Sequence, residues 1–293
     1  MKKTVIALLG GDVRMHFTAN KLLEYGYDVR EWGTQKGESA IDFCQNAKLW
    51  FDEADVIMLP LPSSRDGTHL WTPIGDESEK LRMETIFSMF RQKIFLVGNM
   101  GETLRNRADR EGIRWIDYFE SEILQLKNAL PTAEGAIEIA MRELPVVLAG
   151  TKAVVIGYGR IGEVLAQKLK LLEAKVTVYA RRPEVCARAE LVGLSAKRIL
   201  GEDSLLFDAD TRVVFNTVPK RILTGEVLSK FPRDCLIIDL ASAPGGVDTA
   251  EASTLGIRTL WATALPGKCA PESAGIILGE TAHAILLDQI NKN

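Results

Sequence analysis

Among 293 residues there are four cysteines and three histidines. Cys44, Cys186, Cys235 and Cys269 lie far apart, form no Cys-x-x-Cys pair and have no histidine at metal-ligand spacing, so neither a disulfide framework nor a zinc site is expected. No excess of one charge is present either: 36 Lys+Arg stand against 39 Asp+Glu, a formal net charge of -3. With an isoelectric point near 5.8, the chain has no overall positive field for a phosphate backbone or an anionic membrane, and nucleic acid is not an expected partner. Long apolar runs are missing as well. Charges interrupt every candidate for the ~20 apolar residues that a membrane helix needs. The run from Thr4 to Leu9 that follows Lys2-Lys3 stops at Gly10-Gly11-Asp12, too soon for a signal peptide. These absences lead us to expect a soluble, cytoplasmic protein with reduced thiols and no membrane contact.

What is present is a hydrophobic content of 46% on a chain too long for one ordinary core. Short β-rich runs alternate with helical patterns in the first half: Thr4–Leu9, Asp28–Trp32, Val56–Leu61, Ile94–Val97 and Arg114–Asp117. Such alternation implies parallel strands with crossover helices. A helical pattern follows Pro131-Thr132 and stops near Pro145. Strand-like runs then restart at Lys152–Ile156 and continue through Lys175–Tyr179, Arg212–Thr217, Leu236–Asp239 and Arg258–Trp261. The reading is an α/β chain of two doubly wound, Rossmann-like domains with parallel sheets. Residues 1–130 form the first, completed by 274–293; 131–147 form an interdomain helix; 148–273 form the second. The apolar pattern Ala274–Ile290 is expected to return as a helix to the first domain.

The strongest motif is Gly157-Tyr158-Gly159-Arg160-Ile161-Gly162, directly after the apolar strand Val154-Val155-Ile156 and before the amphipathic pattern Val164, Leu165, Leu169, Leu172. In that context G-x-G-x-x-G is a dinucleotide fingerprint. Gly157 permits the tight turn, Gly159 the approach of a pyrophosphate, and Gly162 the packing of helix on strand. The helix N-terminus offers N–H groups and a positive dipole end to the phosphates. About 20 residues on, where a carboxylate would hold the ribose hydroxyl of NAD, the chain has Ala180-Arg181-Arg182. An arginine pair suits the 2′-phosphate of NADP, although arginines alone do not exclude NAD, and solvated loop arginines are the plain alternative. Further strand ends, Asn216-Thr217-Val218-Pro219 and Asp239 to Ser242, are expected at the same crevice, with turn formation competing as the role of Asn216 and Ser242.

Four other segments carry a resemblance: Gly10-Gly11-Asp12-Val13-Arg14; Leu130-Pro131-Thr132-Ala133-Glu134-Gly135; Asp239-Leu240-Ala241-Ser242-Ala243-Pro244-Gly245-Gly246-Val247-Asp248; and Ala264-Leu265-Pro266-Gly267-Lys268-Cys269-Ala270-Pro271-Glu272-Ser273-Ala274-Gly275. With the glycine motif, in this order, the chain resembles the A-subunit family of dipicolinate synthase. The resemblance implies a role in sporulation, in the mother cell of a spore-forming bacterium. It also implies, as partner, a flavoprotein-like B subunit, and oxidation of a dihydrodipicolinate-type ring to dipicolinic acid with a nicotinamide acceptor. D-2-hydroxyacid dehydrogenases and S-adenosylhomocysteine hydrolase are similar in build.

A small dicarboxylate substrate needs cationic or N–H donors in a dry cleft. Arg14 follows the first-strand turn and is the first candidate, against a solvated helix residue. Ser63, with Ser64 and Arg65, follows the third strand, and Asn99, Met100 and Gly101 the fourth. Thr132 and Glu134 begin the expected interdomain helix, where they are either a cap and a dipole partner or, for Glu134, a base raised in pKa by burial. Lys268 is either a carboxylate ligand or a solvent-facing lysine. His16, His69 and His283 read as isolated histidines. Two other functions stay open: a 2-hydroxyacid reductase, which should carry a histidine where this chain has Pro266-Gly267-Lys268, and a cofactor-binding partner subunit without chemistry of its own. A homo-oligomer is expected by base rate for soluble enzymes.

Overall fold

The computed structural model describes residues 3–36, 40–74, 80–201 and 204–290; Lys2, which precedes the first apolar run, lies outside them. The chain divides into two compact units, Met1–Asn128 with Ala270–Asn293, and Ala129–Cys269.

In the first unit β1 (Val5–Leu9), β2 (Asp28–Trp32), β3 (Val56–Met58), β4 (Ile94–Val97) and β5 (Arg114–Asp117) form a parallel sheet in the order β2-β1-β3-β4-β5. Helices α1 (Arg14–Glu24), α2 (Ala40–Phe51), α3 (Met83–Met89) and α4 (Glu102–Arg110) connect them. Val5, Ala7 and Leu9 join one buried cluster and Ile6 and Leu8 the other. This alternation is why a strand buried on both faces reads as an unbroken apolar run. β3 is shorter than its apolar run, because Pro60 and Pro62 have no N–H for a ladder; Leu59 still donates to the Leu96 carbonyl at 2.8 Å. Sequence periodicity left α2 unread, although Phe43, Ala47 and Phe51 form its buried face.

The long helix α5 runs from Glu122 to Glu143, not from Thr132, and holds Pro131 in its interior. Proline is common at a first helical position, which made it look like a start. The turns before it are nevertheless anchored by Leu124 and Ala129, both buried, and this outweighs the one helical hydrogen bond that proline forfeits.

In the second unit β6 (Lys152–Ile156), β7 (Lys175–Ala180), β8 (Ser195–Arg198), β9 (Thr211–Asn216), β10 (Leu236–Asp239) and β11 (Arg258–Trp261) form a parallel sheet in the order β11-β10-β9-β6-β7-β8. Helices α6 (Arg160–Leu171), α7 (Pro183–Leu191), α8 (Gly225–Leu228), α9 (Thr249–Thr254) and α10 (Leu265–Cys269) join its strands and follow its last one. β8 had no apolar signal because it is a polar edge strand, Ser-Ala-Lys-Arg, with three of its four residues exposed. Each sheet has a switch point, where the chain leaves one strand for a neighbour on either side: β1 between β2 and β3, and β6 between β7 and β9. Ligands of open α/β sheets bind outside the carboxyl ends of such strands.

The last helix, α11 (Pro271–Ile290), belongs to the first unit and packs along α1. A Cβ on Gly275 would collide with the Arg14 carbonyl and lie 2.6 Å from the Cβ of Phe17, and one on Gly279 would lie 2.8 Å from the Cβ of Lys21. Thr18 and His283 complete the seam: the Thr18 hydroxyl lies 3.0 Å from the Gly275 carbonyl, and the His283 ring stacks on Tyr25 with centroids 3.8 Å apart. Among the described residues no helix is long and apolar enough to cross a membrane.

This seam gives a sign test. Gly→Ala in an open helix position stabilises by about 1 kcal/mol through propensity, whereas overpacking a close contact costs roughly 1–3 kcal/mol. Gly275→Ala is therefore expected to lower the urea midpoint of the folded protein; an unchanged or raised midpoint would show that α1 and α11 do not meet this closely.

Candidate functional site

At the carboxyl end of β6 the chain turns through Gly157, whose φ of +91° lies in the left-handed region that glycine favours. Its N–H donates to the Tyr179 carbonyl at 2.8 Å, fixing the turn against β7. A Cβ here would collide with the Thr217 hydroxyl, and one on Gly162 with the Gly157 carbonyl, so both positions require glycine. Gly159 differs: it is the N-cap of α6 with no side-chain cap, its φ is -93°, and a Cβ there would meet nothing within 4 Å. The helix thus starts on a residue with no side chain to cap it and with open space beside it, the geometry that suits linked phosphates. Arg160 is exposed, Ile161 packs against the core cluster below, and Tyr158 turns its ring into that cluster, where burial raises its pKa. Tyr158 therefore offers the crevice only backbone.

The end of β7 carries Ala180, buried, and Arg181 and Arg182, exposed. Arg182 is the N-cap of α7 and lies 3.5 Å from Glu184 with three quarters of its side chain exposed. Beside them, β8 brings a residue that sequence reading missed. Ala180 pairs with Arg198 in register, and the Arg198 Nε donates to the Arg181 carbonyl at 3.1 Å. Three guanidinium-bearing residues thus share this corner of the sheet edge. Their signal was hidden because β8 was not recognised.

After β9 and β10 the polar groups turn inward, which corrects the expectation for them. The Asn216 amide donates to Asp239 at 2.7 Å and to the Val218 carbonyl at 3.1 Å. The Asp239 carboxylate also accepts the N–H groups of Ala241 and Gly246, at 3.1 and 2.8 Å. Both side chains are buried and brace the loops, so neither is available to a ribose or nicotinamide. The Thr217 hydroxyl donates to the Ile156 carbonyl at 3.0 Å and stands against Gly157, with Val218 beside it. Pro219 and Ser242 are exposed.

The proposed catalytic side chains are placed differently from one another. Arg14 is neither solvated nor free: it is buried, its Nε donates to Asp12 at 2.8 Å and its Nη2 to the Leu61 carbonyl at 2.6 Å. Ser63 is buried too, accepting the Gly98 N–H at 2.9 Å and lying 3.1 Å from the Pro60 carbonyl. The N–H groups of Asn99 and Met100 go to the buried Asp117, at 2.9 and 3.1 Å. Thr132 lies in the middle of α5, so it is not an N-cap. Glu134 is an exposed residue of the same helix paired with Lys168 at 2.8 Å; the burial that would make it a base is missing. Lys268, on α10, lines a cavity of about 560 Å³ with Glu138, Arg142, Glu143, Trp261 and Cys269. Among the described residues no cluster suits a metal ion.

None of the three histidines read as isolated stands alone: Asn20 lies 3.3 Å from His16 Nε2 and the Tyr27 hydroxyl 2.9 Å from His283 Nδ1. His69 Nδ1 lies 2.7 Å from Asp66 Oδ2, with the imidazole partly exposed. Asp66 Oδ1 accepts the N–H groups of Thr68 and His69, each at 2.8 Å, and the bonds from His69 hold the Asp66 carboxyl well below the usual carboxylate range. The pairing is a three-residue spacing inside a loop, where no periodic pattern makes it visible.

The comparisons with known proteins agree with this layout. Residues 5–119 match the family model for the N-terminal domain of the dipicolinate synthase A subunit, and residues 128–268 match that for the S-adenosyl-L-homocysteine hydrolase NAD binding domain. The dipicolinate synthase A subunit of Bacillus subtilis (strain 168) is 30% identical over 97% of this chain and 96% of its own. The crystal structure of the corresponding subunit from Bacillus halodurans superposes with a TM-score of 0.85 at 28% identity, covering 97% of each chain. That from Bacillus subtilis gives the same TM-score and identity over 100% of this chain and 99% of the other. The second unit is accordingly a nicotinamide-dinucleotide-binding domain of oxidoreductase type, and the chain belongs to the A-subunit family of dipicolinate synthase.

Proposed function

We propose that this chain oxidises a dihydrodipicolinate-type dicarboxylate to dipicolinic acid with NADP, acting with a B-type partner subunit in the cytoplasm of a sporulating mother cell. The observation that carries the reading is the uncapped N-terminus of α6 facing open space at Gly159, in a chain of this family. The coenzyme, when bound, supplies the acceptor for a hydride. The chain's own residues do the rest: the first turn of α6 holds the pyrophosphate, and the backbone of Gly157, Tyr158 and Gly159 forms its cradle. Arg181, Arg182 and Arg198 receive the 2′-phosphate, with no carboxylate between positions 180 and 182 to hold a free 2′-hydroxyl. Thr217 and Val218 wall the crevice. Loss of two hydrogens makes the ring aromatic, which drives the oxidation forward. Assembly as a homo-oligomer remains part of the reading by base rate.

A second reading, a cofactor-binding subunit without chemistry of its own, is favoured by the internal bonds that occupy Arg14 and Ser63 and by the ion pair at Glu134. The two separate in one assay. Purified chain, NADP and dihydrodipicolinate, with and without the B subunit, are followed by the absorbance of the aromatic product. Product formed by this chain and NADP without the B subunit would reject the second reading; product formed equally well by the B subunit with NADP alone would overturn the first.

Calorimetry tests the residues. Gly159→Ala keeps the fold, because its backbone conformation is open to any residue and its Cβ meets nothing, yet it should weaken NADP and NAD binding at least tenfold by filling the phosphate cradle. The triple variant Arg181→Ala, Arg182→Ala, Arg198→Ala should weaken NADP alone by roughly 10–100-fold, since a charge-assisted hydrogen bond contributes about 1.5–3 kcal/mol. Equal losses for NAD and NADP would contradict the 2′-phosphate assignment.

A further inference from the structure

The first unit has its own switch point at β1, flanked by the turn after β1 and by the loop after β3. That loop is built. The Trp71 N–H donates to the Ser63 carbonyl at 3.0 Å and the Gly11 N–H to the Trp71 carbonyl at 2.8 Å, so residues 63–71 close on themselves and are tied to the β1 turn. Along this closed loop stand Arg65, Asp66 and His69. The Arg65 guanidinium lies 4.5 Å from the Trp71 ring centroid, and that of Arg14 5.9 Å. Arg65 is exposed and, among the described residues, has no carboxylate partner. A guanidinium held over an indole without a counter-ion is a ready anchor for an incoming carboxylate.

His69 completes the arrangement. Its Nδ1 faces the Asp66 carboxylate, so in the neutral ring the proton sits on Nδ1 and the lone pair on Nε2. Among the described residues Nε2 has no partner. An imidazole oriented by a carboxylate, with its far nitrogen open, at the carboxyl edge of a switch point, is a general base in position.

We propose that the 63–71 loop is the ring-dicarboxylate subsite, with Arg65 binding a carboxylate and His69 Nε2 taking the ring proton. The proposal rests on the reaction assigned above. A hydride leaves one ring carbon with its bonding pair and is accepted by the oxidised nicotinamide dinucleotide, which is thereby reduced. A proton leaves the neighbouring ring atom to His69 Nε2, and the electron pair it leaves behind becomes the new ring double bond. The protonated imidazole, held by Asp66, then returns its proton to water. Asp66 is a positioning residue.

The test uses the full chain with its B subunit. His69→Gln is expected to lower kcat by at least about 100-fold, the usual scale of acid–base catalysis, with KM and calorimetric NADP affinity within threefold of wild type. Asp66→Asn keeps the Oδ1 acceptor that shapes the loop and removes only the carboxylate facing Nδ1; it should lower kcat at least tenfold. Added imidazole should restore turnover to His69→Ala, which loss of folding would not allow. In a separate arm, calorimetric binding of dipicolinate should weaken at least tenfold in Arg65→Ala. Turnover within threefold of wild type in His69→Gln overturns the proton step, and unchanged dipicolinate affinity in Arg65→Ala overturns the subsite. Absence of turnover in the wild-type complex would instead overturn the reaction on which both rest.

Discussion

One steric constraint organises the second unit: the backbone between β6 and α6 passes so close to its neighbours that side chains fit at neither Gly157 nor Gly162. Thr217 presses on the first and the carbonyl of Gly157 on the second. The strand and the helix are thereby brought together with almost no loop between them, and the uncapped start of the helix is left at the sheet edge. Gly159, between the two, meets nothing. Packing therefore does not require glycine there, whereas it does at the other two positions. The braces on Asn216 and Asp239 tie the neighbouring loops to the ends of β9 and β10.

The first unit repeats the plan with different chemistry. Its β1 turn also carries glycines with positive φ, Gly10 and Gly11, but the helix that follows opens with Arg14, whose guanidinium is folded inward onto Leu61 and Asp12. The cation at this helix start is thus bonded to the protein itself. That inward arginine ties α1 to the loop after β3, and the loop in turn presents Arg65, Asp66 and His69. The same sheet topology thus presents an uncapped helix start in one unit and an inward-folded arginine in the other.

Much of this was legible in the sequence, and the exceptions have physical reasons. Both sheets and the glycine turn were readable because strands buried on two faces leave unbroken apolar runs, and because G-x-G-x-x-G after such a run has one common structural meaning. β8 was not readable: Ser195 to Arg198 form a polar edge strand, and missing it hid Arg198 from the arginine pair it joins. The start of α5 was misread because Pro131 is a start signal by propensity and an interior residue by packing. Asn216 and Asp239 were expected at the ligand because strand ends are the right place, but nothing in a sequence says which way a side chain turns. His69 was set aside for the opposite reason, since its partner three residues away belongs to a loop without period.

The central claim is that the N–H groups at the start of α6 hold the phosphates of a nicotinamide dinucleotide. Hydrogen–deuterium exchange of the wild-type chain, with and without saturating NADP, addresses those groups directly. Slower exchange confined to the peptide spanning 157–163 and its flanking strand ends is the predicted result. Exchange there that does not change, while NADP is demonstrably bound elsewhere on the chain, would contradict the account.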